Sequence, residues 1–168
     1  DKKGGDSVFT VSLAADVDPA YFADVASAHF FYTPVTTGLS QVDIREVDPS
    51  GSGRYDTDWA RFSAWVKRFL ELTTYEISIP VLRDPALAPP GATGLIVSTL
   101  MEHSLFAHAR AMGWEEEFQR LCIGTVVEIL SGSIFPRLRG AVRDVFCSTP
   151  LSLERRTGNA DGAITGWA

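Results

Sequence analysis

Three histidines, His29, His103 and His108, are the side chains of this sequence best suited to bind a metal ion or to move a proton near neutral pH. None stands in a metal-ligand spacing such as HExxH. His103 and His108 lie five residues apart in a segment with a helical pattern, which places them on different faces of a helix. Ser104 follows His103, but adjacent helical residues point apart, so the two do not make a nucleophile and its base. The spacing therefore predicts packed or surface histidines, with no metal site and no hydrolase triad.

Acidic and glycine clusters give no catalytic site either. Glu115, Glu116 and Glu117 stand where a helix is expected to begin, and negative charge is favourable there, so we interpret them as a solvated first turn. The glycines at 51, 53, 91 and 94 have neither the GxGxxG spacing nor the strand-to-helix context of a phosphate-binding loop. The sequence thus predicts no dinucleotide-binding loop in this chain, and its catalytic residues stay unknown.

Composition limits the class of protein. With 168 residues, of which 45% are hydrophobic, the chain has room for one domain with a substantial core. The net charge of −6 disfavours nucleic acid as a partner. Neither a membrane span nor a signal peptide is evident in the sequence, and Cys122 and Cys147 are interpreted as two buried thiols in a reducing compartment rather than a disulfide. We therefore expect a cytoplasmic globular domain.

The first third of the chain alternates strand and helix patterns. Strands are expected at 8–15, 29–32 and 39–47, and Asp18 with Pro19 is typical of a helix start. Residues 48–53, Asp-Pro-Ser-Gly-Ser-Gly, form the one linker-like stretch, either a native surface loop or a splice. The following helix, 56–72, must bury one face because its apolar residues recur at helical spacing: Trp59, Phe62, Trp65, Val66, Phe69 and Leu72.

The rest of the chain repeats that mixture. We predict strands at 75–81, 94–100 and 142–148, with a long amphipathic helix at 115–130. Short helices are expected at 137–142 and 150–155, the latter capped by Ser148 or Thr149, and the stretch 162–167 is typical of the opening of a strand. Strands in local pairs separated by helices predict an α+β fold whose mostly antiparallel sheet has helices packed on one face.

Three stretches of the sequence resemble the phytoene desaturase-like FAD-dependent oxidoreductases. Residues 75–91, which end in Asp-Pro-Ala-Leu-Ala-Pro-Pro-Gly, resemble a strand and loop of that family, and residues 136–167 resemble its final substrate-domain segment. Residues 6–34 look like the family's first substrate-domain strand and the loop beyond it. The resemblance implies that residues 1–168 are the inserted substrate-binding domain alone, without the flavin-binding parts.

The resemblance also implies a function. The intact parent, cytoplasmic or attached to a membrane surface, would oxidise an apolar isoprenoid or carotenoid-like substrate by hydride transfer to FAD, with no flavin expected in this chain alone. Aromatic residues near 22–32 and 59–69 would line the substrate, or else form ordinary core. The implied partners are the substrate, the missing flavin domain and, through the 162–167 strand, a second copy of the chain. The implied flavin contacts are Gly162, Ala163, Ile164, Gly166 and Trp167.

A second hypothesis stays open beside this one. The chain could be a non-catalytic module that binds an apolar small molecule or assists a separate flavoprotein. The reading frame on either side of residues 1–168 distinguishes the two hypotheses, because only an inserted domain is flanked by a GxGxxG sequence and a flavin-closing segment.

Overall fold

Five strands form one antiparallel sheet in a computed structural model that describes residues 5–165. The first strand of the chain is interior, with β4 and β5 as its neighbours, and the sheet order is β2-β3-β4-β1-β5. All four strand pairs are antiparallel. The strands are β1 (Val8–Ala15), β2 (His29–Tyr32), β3 (Tyr75–Ser78), β4 (Thr93–Leu100) and β5 (Val142–Ser148).

Helices connect the strands. They are α1 (Pro19–Val25), α2 (Trp59–Leu72), α3 (His103–Ala111), α4 (Glu115–Gly132) and α5 (Pro150–Thr157). The carboxylate of Asp18 accepts the N–H of Ala20 at 2.8 Å and begins α1, and Thr149 caps α5, as expected. Within residues 5–165 no helix combines the length and the apolar character needed to cross a membrane.

The core lies between one face of the sheet and the helices. On β1 the alternate residues Phe9, Val11 and Leu13 are buried, because successive strand residues point to opposite faces. The Phe106 ring of α3 lies 5.7 Å from Phe9 and 4.9 Å from Phe118 of α4, measured between ring centroids. The buried stripe of α4 therefore faces the sheet, and the expected α+β fold with a one-sided helical layer is confirmed.

The prediction of a strand at 39–47 is wrong, because this segment forms two 3₁₀ turns, Gly38–Gln41 and Ile44–Glu46. The Asp43 carboxylate accepts the N–H of Arg45 at 2.9 Å, and the indole of Trp65 donates to the Asp43 carbonyl oxygen at 3.0 Å. Backbone groups bonded in this way need no strand partner.

Other boundaries also differ from the expected ones. Strand β3 ends at Ser78 rather than at residue 81, because Pro80 begins a 3₁₀ turn and has no backbone N–H to donate to a neighbouring strand. The helix expected at 137–142 is a single 3₁₀ turn, Pro136–Leu138. Both cysteines are free thiols, as expected, but Cys147 is half-buried whereas Cys122 is fully buried.

The linker-like segment 48–53 is folded around a buried carboxylate. Asp48 is 3% exposed. One of its oxygens accepts the Ser50 hydroxyl at 2.9 Å and the Ser52 N–H at 3.3 Å, and the other accepts the Gly53 N–H at 2.7 Å. Burial alone would raise the pKa of Asp48, but the N–H of Gly53 and the hydroxyl of Ser50 outweigh it and hold the pKa below its usual value. The segment is thus an ordered loop with its own polar centre.

Candidate functional site: the open face of the sheet

The helices cover one face of the sheet, and the opposite face, which we call the open sheet face, has no covering layer among residues 5–165. Two adjacent rows of cross-strand neighbours span all five strands there. The first row consists of Phe31, Glu76, Ser98, Thr10 and Ser148, and the second of His29, Ser78, Ile96, Ser12 and Phe146. Because directly opposite residues project to the same side, these ten side chains share one surface.

The open sheet face has mostly short side chains in its middle, which we call the floor, and an exposed aromatic ring on each edge strand. Serine and threonine side chains occupy most of its middle, whereas Phe31 on β2 is 69% exposed and Phe146 on β5 is 67% exposed. Strands lie about 4.8 Å apart, so the two edge strands stand about 19 Å apart. Ile96 and Leu100 add exposed apolar surface on β4. A flat or extended apolar ligand, or an apolar surface of another domain, fits such a floor better than a globular polar ligand does.

Four polar side chains of the two rows pair with each other. The hydroxyls of Thr10 and Ser98 lie 2.9 Å apart. His29 Nε2 lies 2.8 Å from a carboxylate oxygen of Glu76. Such a pair can hold or pass a proton, while the hydroxyls supply neutral hydrogen bonds. The open sheet face is thus suited to binding, with one group capable of proton transfer.

The predicted flavin-contacting residues begin at one end of the sheet, beside the start of β1. The backbone N–H of Ile164 donates to the Asp6 carbonyl oxygen at 3.0 Å, just before Val8 begins β1. Val8 pairs with Leu100, so the segment lies beside the end row of the sheet. Ile164 is half exposed, whereas Gly162 and Ala163 are buried. Gly166 and Trp167 lie outside the described residues.

Residues 162–165 do not form the strand that the sequence indicated. Asp161, with φ of 56°, and Gly162, with φ of 62°, both adopt the left-handed conformation and form a tight turn instead. The Ser7 hydroxyl donates to the Gly162 carbonyl oxygen at 2.7 Å, and the Gly162 Cα packs against the Pro150 carbonyl group. Contacts within the chain therefore account for glycine at this position.

Most aromatic residues that were candidates for a substrate lining belong to the core. Phe22 and Phe62 are fully buried and Trp65 nearly so, while Phe31 is the aromatic side chain of these two stretches that opens onto the open sheet face. A shallow groove of about 490 Å³ lies on the covered side of β2, between the end of α1 and Phe135. It is wide open, so an apolar ligand would stay largely in contact with water there.

Sequence reasoning missed the open sheet face itself. Its signal was present in β1, where the outward positions are Thr10, Ser12 and Ala14, all small, opposite the large inward residues. The registers that align these positions with Phe31 and Phe146 depend on pairings between distant segments.

No family model matches the chain, and a search of the curated proteins finds no match.

Proposed function

We propose that this chain is the substrate-binding domain of an FAD-dependent oxidoreductase of the phytoene desaturase-like type. The intact parent would oxidise an apolar isoprenoid or carotenoid-like substrate. The open sheet face is the observation that carries the proposal: its middle holds mostly serine and threonine, its edges expose apolar groups, and no layer covers it among the described residues. Such a face gives an apolar substrate one dry wall, and the parent's flavin domain would supply the other.

The adjacency of Asp6 and Ile164 in the fold supports the proposal of an inserted domain. The Ile164 N–H bonds to the Asp6 carbonyl oxygen, so the strand that opens the fold and the segment that follows α5 lie side by side. A domain whose entry and exit are adjacent can be placed in a loop of another domain without separating the two sides of that loop.

The described residues suit contact with the flavin ring of FAD but not binding of its pyrophosphate. They contain no glycine-rich turn that leads directly from a strand into a helix, so they offer no place for the pyrophosphate, which the parent's other domain would hold. The end row, Val8 with Leu100, and the exposed Ile164 offer apolar surface that a flat ring system can face. When bound, FAD would accept the hydride, and the residues of this chain would orient the substrate and exclude water.

The first test is the coding sequence on either side of residues 1–168, followed by purification of the full parent. We expect a GxGxxG upstream, a continuation past Ala168 and bound flavin. Under anaerobic conditions, an added apolar polyene substrate should then reduce the flavin and bleach its absorbance. A reading frame without these flanking parts, together with polyene binding to the chain alone, would instead support the non-catalytic binding module.

The second test places the substrate on the open sheet face. Ser98→Trp raises a bulky ring from the middle of the floor, and Ala64→Trp adds the same ring at an exposed position of α2. In the flavin-loaded parent we expect Ser98→Trp to raise KM for the polyene by about tenfold or more, since a ring on the floor displaces bound substrate. Equal effects of the two variants would contradict the assignment of this face.

A further inference from the structure

Three side chains from three separate elements converge at the C-terminal end of the fold: His103 from the start of α3, Glu154 from α5 and Asp161 from the turn that follows. His103 Nε2 lies 3.0 Å from a carboxylate oxygen of Glu154, and His103 Nδ1 lies 3.8 Å from one of Asp161. One ligand atom from each residue lies within 4.8 Å of the others.

We propose that His103, Glu154 and Asp161 form a binding site for a divalent transition-metal ion such as Zn²⁺. The donors are one imidazole nitrogen and two carboxylate oxygens, a combination that borderline ions accept, and water would complete the coordination. The proposal does not depend on the flavoprotein function.

The distances are close to those of a metal site. Two ligands of a tetrahedral Zn²⁺ stand about 3.3 Å apart at ordinary bond lengths, and the separation of His103 from Glu154 is near this value. Asp161 lies 3.8 Å from Nδ1, the other nitrogen of the His103 ring, so its carboxylate has to turn toward Nε2 to join Glu154 on the same ion, which a rotamer change achieves. The Glu154 and Asp161 side chains are 44% and 50% exposed, so they have room for that change.

Charge and burial also favour a cation. The two carboxylates bring two negative charges to a histidine whose side chain is only 18% exposed. A bound dication would link α3 to α5 and to the turn at residues 160–162. The His29–Glu76 pair has a similar distance of 2.8 Å, but no second carboxylate joins it among the metal-ligand clusters of the described residues.

The experiment is a Zn²⁺ titration of the chain, freed of any affinity tag, followed by NMR of the histidine rings. The ring signals of His103 should shift with saturable binding, while those of His29 and His108 should stay in place. Thermal unfolding should move up by roughly 5–11 °C at a free Zn²⁺ concentration about 100-fold above the dissociation constant.

Two variants and a matched control test the ligand set. Glu154→Gln keeps a hydrogen-bonding group beside His103 but removes the charge, and Asp161→Asn suits the left-handed backbone of this residue. Each should weaken Zn²⁺ binding by about tenfold or more, whereas Glu76→Gln, which alters the other histidine–carboxylate pair, should leave it unchanged. Unshifted His103 signals, or Glu154→Gln and Asp161→Asn variants that bind Zn²⁺ as tightly as the unaltered chain, would overturn the proposal.

Discussion

Gly162 packs against the carbonyl group of Pro150 so closely that a Cβ at residue 162 would overlap the carbonyl oxygen. The contact joins the start of α5 to the turn that follows the same helix. The candidate flavin-contacting segment therefore begins at a residue whose backbone is fixed by contacts with Pro150 and Ser7.

Gly162→Ala should destabilise the chain by about 3 kcal/mol, because the new methyl group meets both a left-handed backbone and the Pro150 carbonyl. Gly158→Ala is the matched control: its φ is 73°, but nothing lies within 4 Å of an added Cβ, so a loss of about 1 kcal/mol is expected. Urea unfolding measures both. Equal losses would mean that the approach to Pro150 contributes nothing.

Phe146→Thr should change the free energy of unfolding by no more than about 0.5 kcal/mol, because this ring is 67% exposed on the open sheet face and threonine suits a strand. Phe9→Thr in β1 is its counterpart on the covered face, where the ring is 1% exposed, and should cost about 3–5 kcal/mol. The same urea series compares them. A large loss from Phe146→Thr would show that this ring packs against the chain's own core.

Asp48→Asn should lower stability at neutral pH, because the carboxylate accepts hydrogen bonds from Ser50, Ser52 and Gly53. The pKa of Asp48 is lower in the folded chain than in the unfolded chain. Its charge therefore contributes stability above the unfolded pKa, and this contribution is lost as pH falls through the folded pKa.

The difference in stability between Asp48→Asn and the unaltered chain should accordingly shrink as pH falls below about 4. Thermal unfolding at a series of pH values measures this difference, and a constant difference across the acid range would rule out the charge as its source.

The purified 168-residue chain should carry no flavin, because the sequence provides no glycine-rich loop for the pyrophosphate of FAD. The absorbance spectrum of the purified protein measures this directly. Stoichiometric flavin absorbance that survives gel filtration would refute the expectation.

The elements that could be predicted were those with a strong local pattern. The strand-forming, largely apolar residues of 8–15 and the helical stripe of 115–130 each predict an element with a buried face, and both elements appear as expected. Val42 and Ile44 also alternate with polar residues, yet the hydrogen bonds of Asp43 produce tight turns there instead. A local side-chain bond thus overrode a period-two pattern.

The candidate sites depend on contacts that a linear pattern does not contain. Ser12 joins one surface with Ile96 and Phe146 only through the sheet register. His103 likewise meets Glu154 and Asp161 because α3, α5 and the following turn pack together, and no spacing rule connects residues so far apart along the chain. For that reason the motif search gave no metal site in this region.

The interior position of β1 has a consequence for how the chain folds. Val11 pairs with Val97 on one side and with Cys147 on the other, so β1 meets its second neighbour only after the whole segment between residues 11 and 147 has been made. Folding dominated by such distant pairings takes milliseconds to seconds, and until β5 has been made one edge of β1 stays unpaired. We therefore expect the nascent chain to depend on chaperones until residue 148 has left the ribosome.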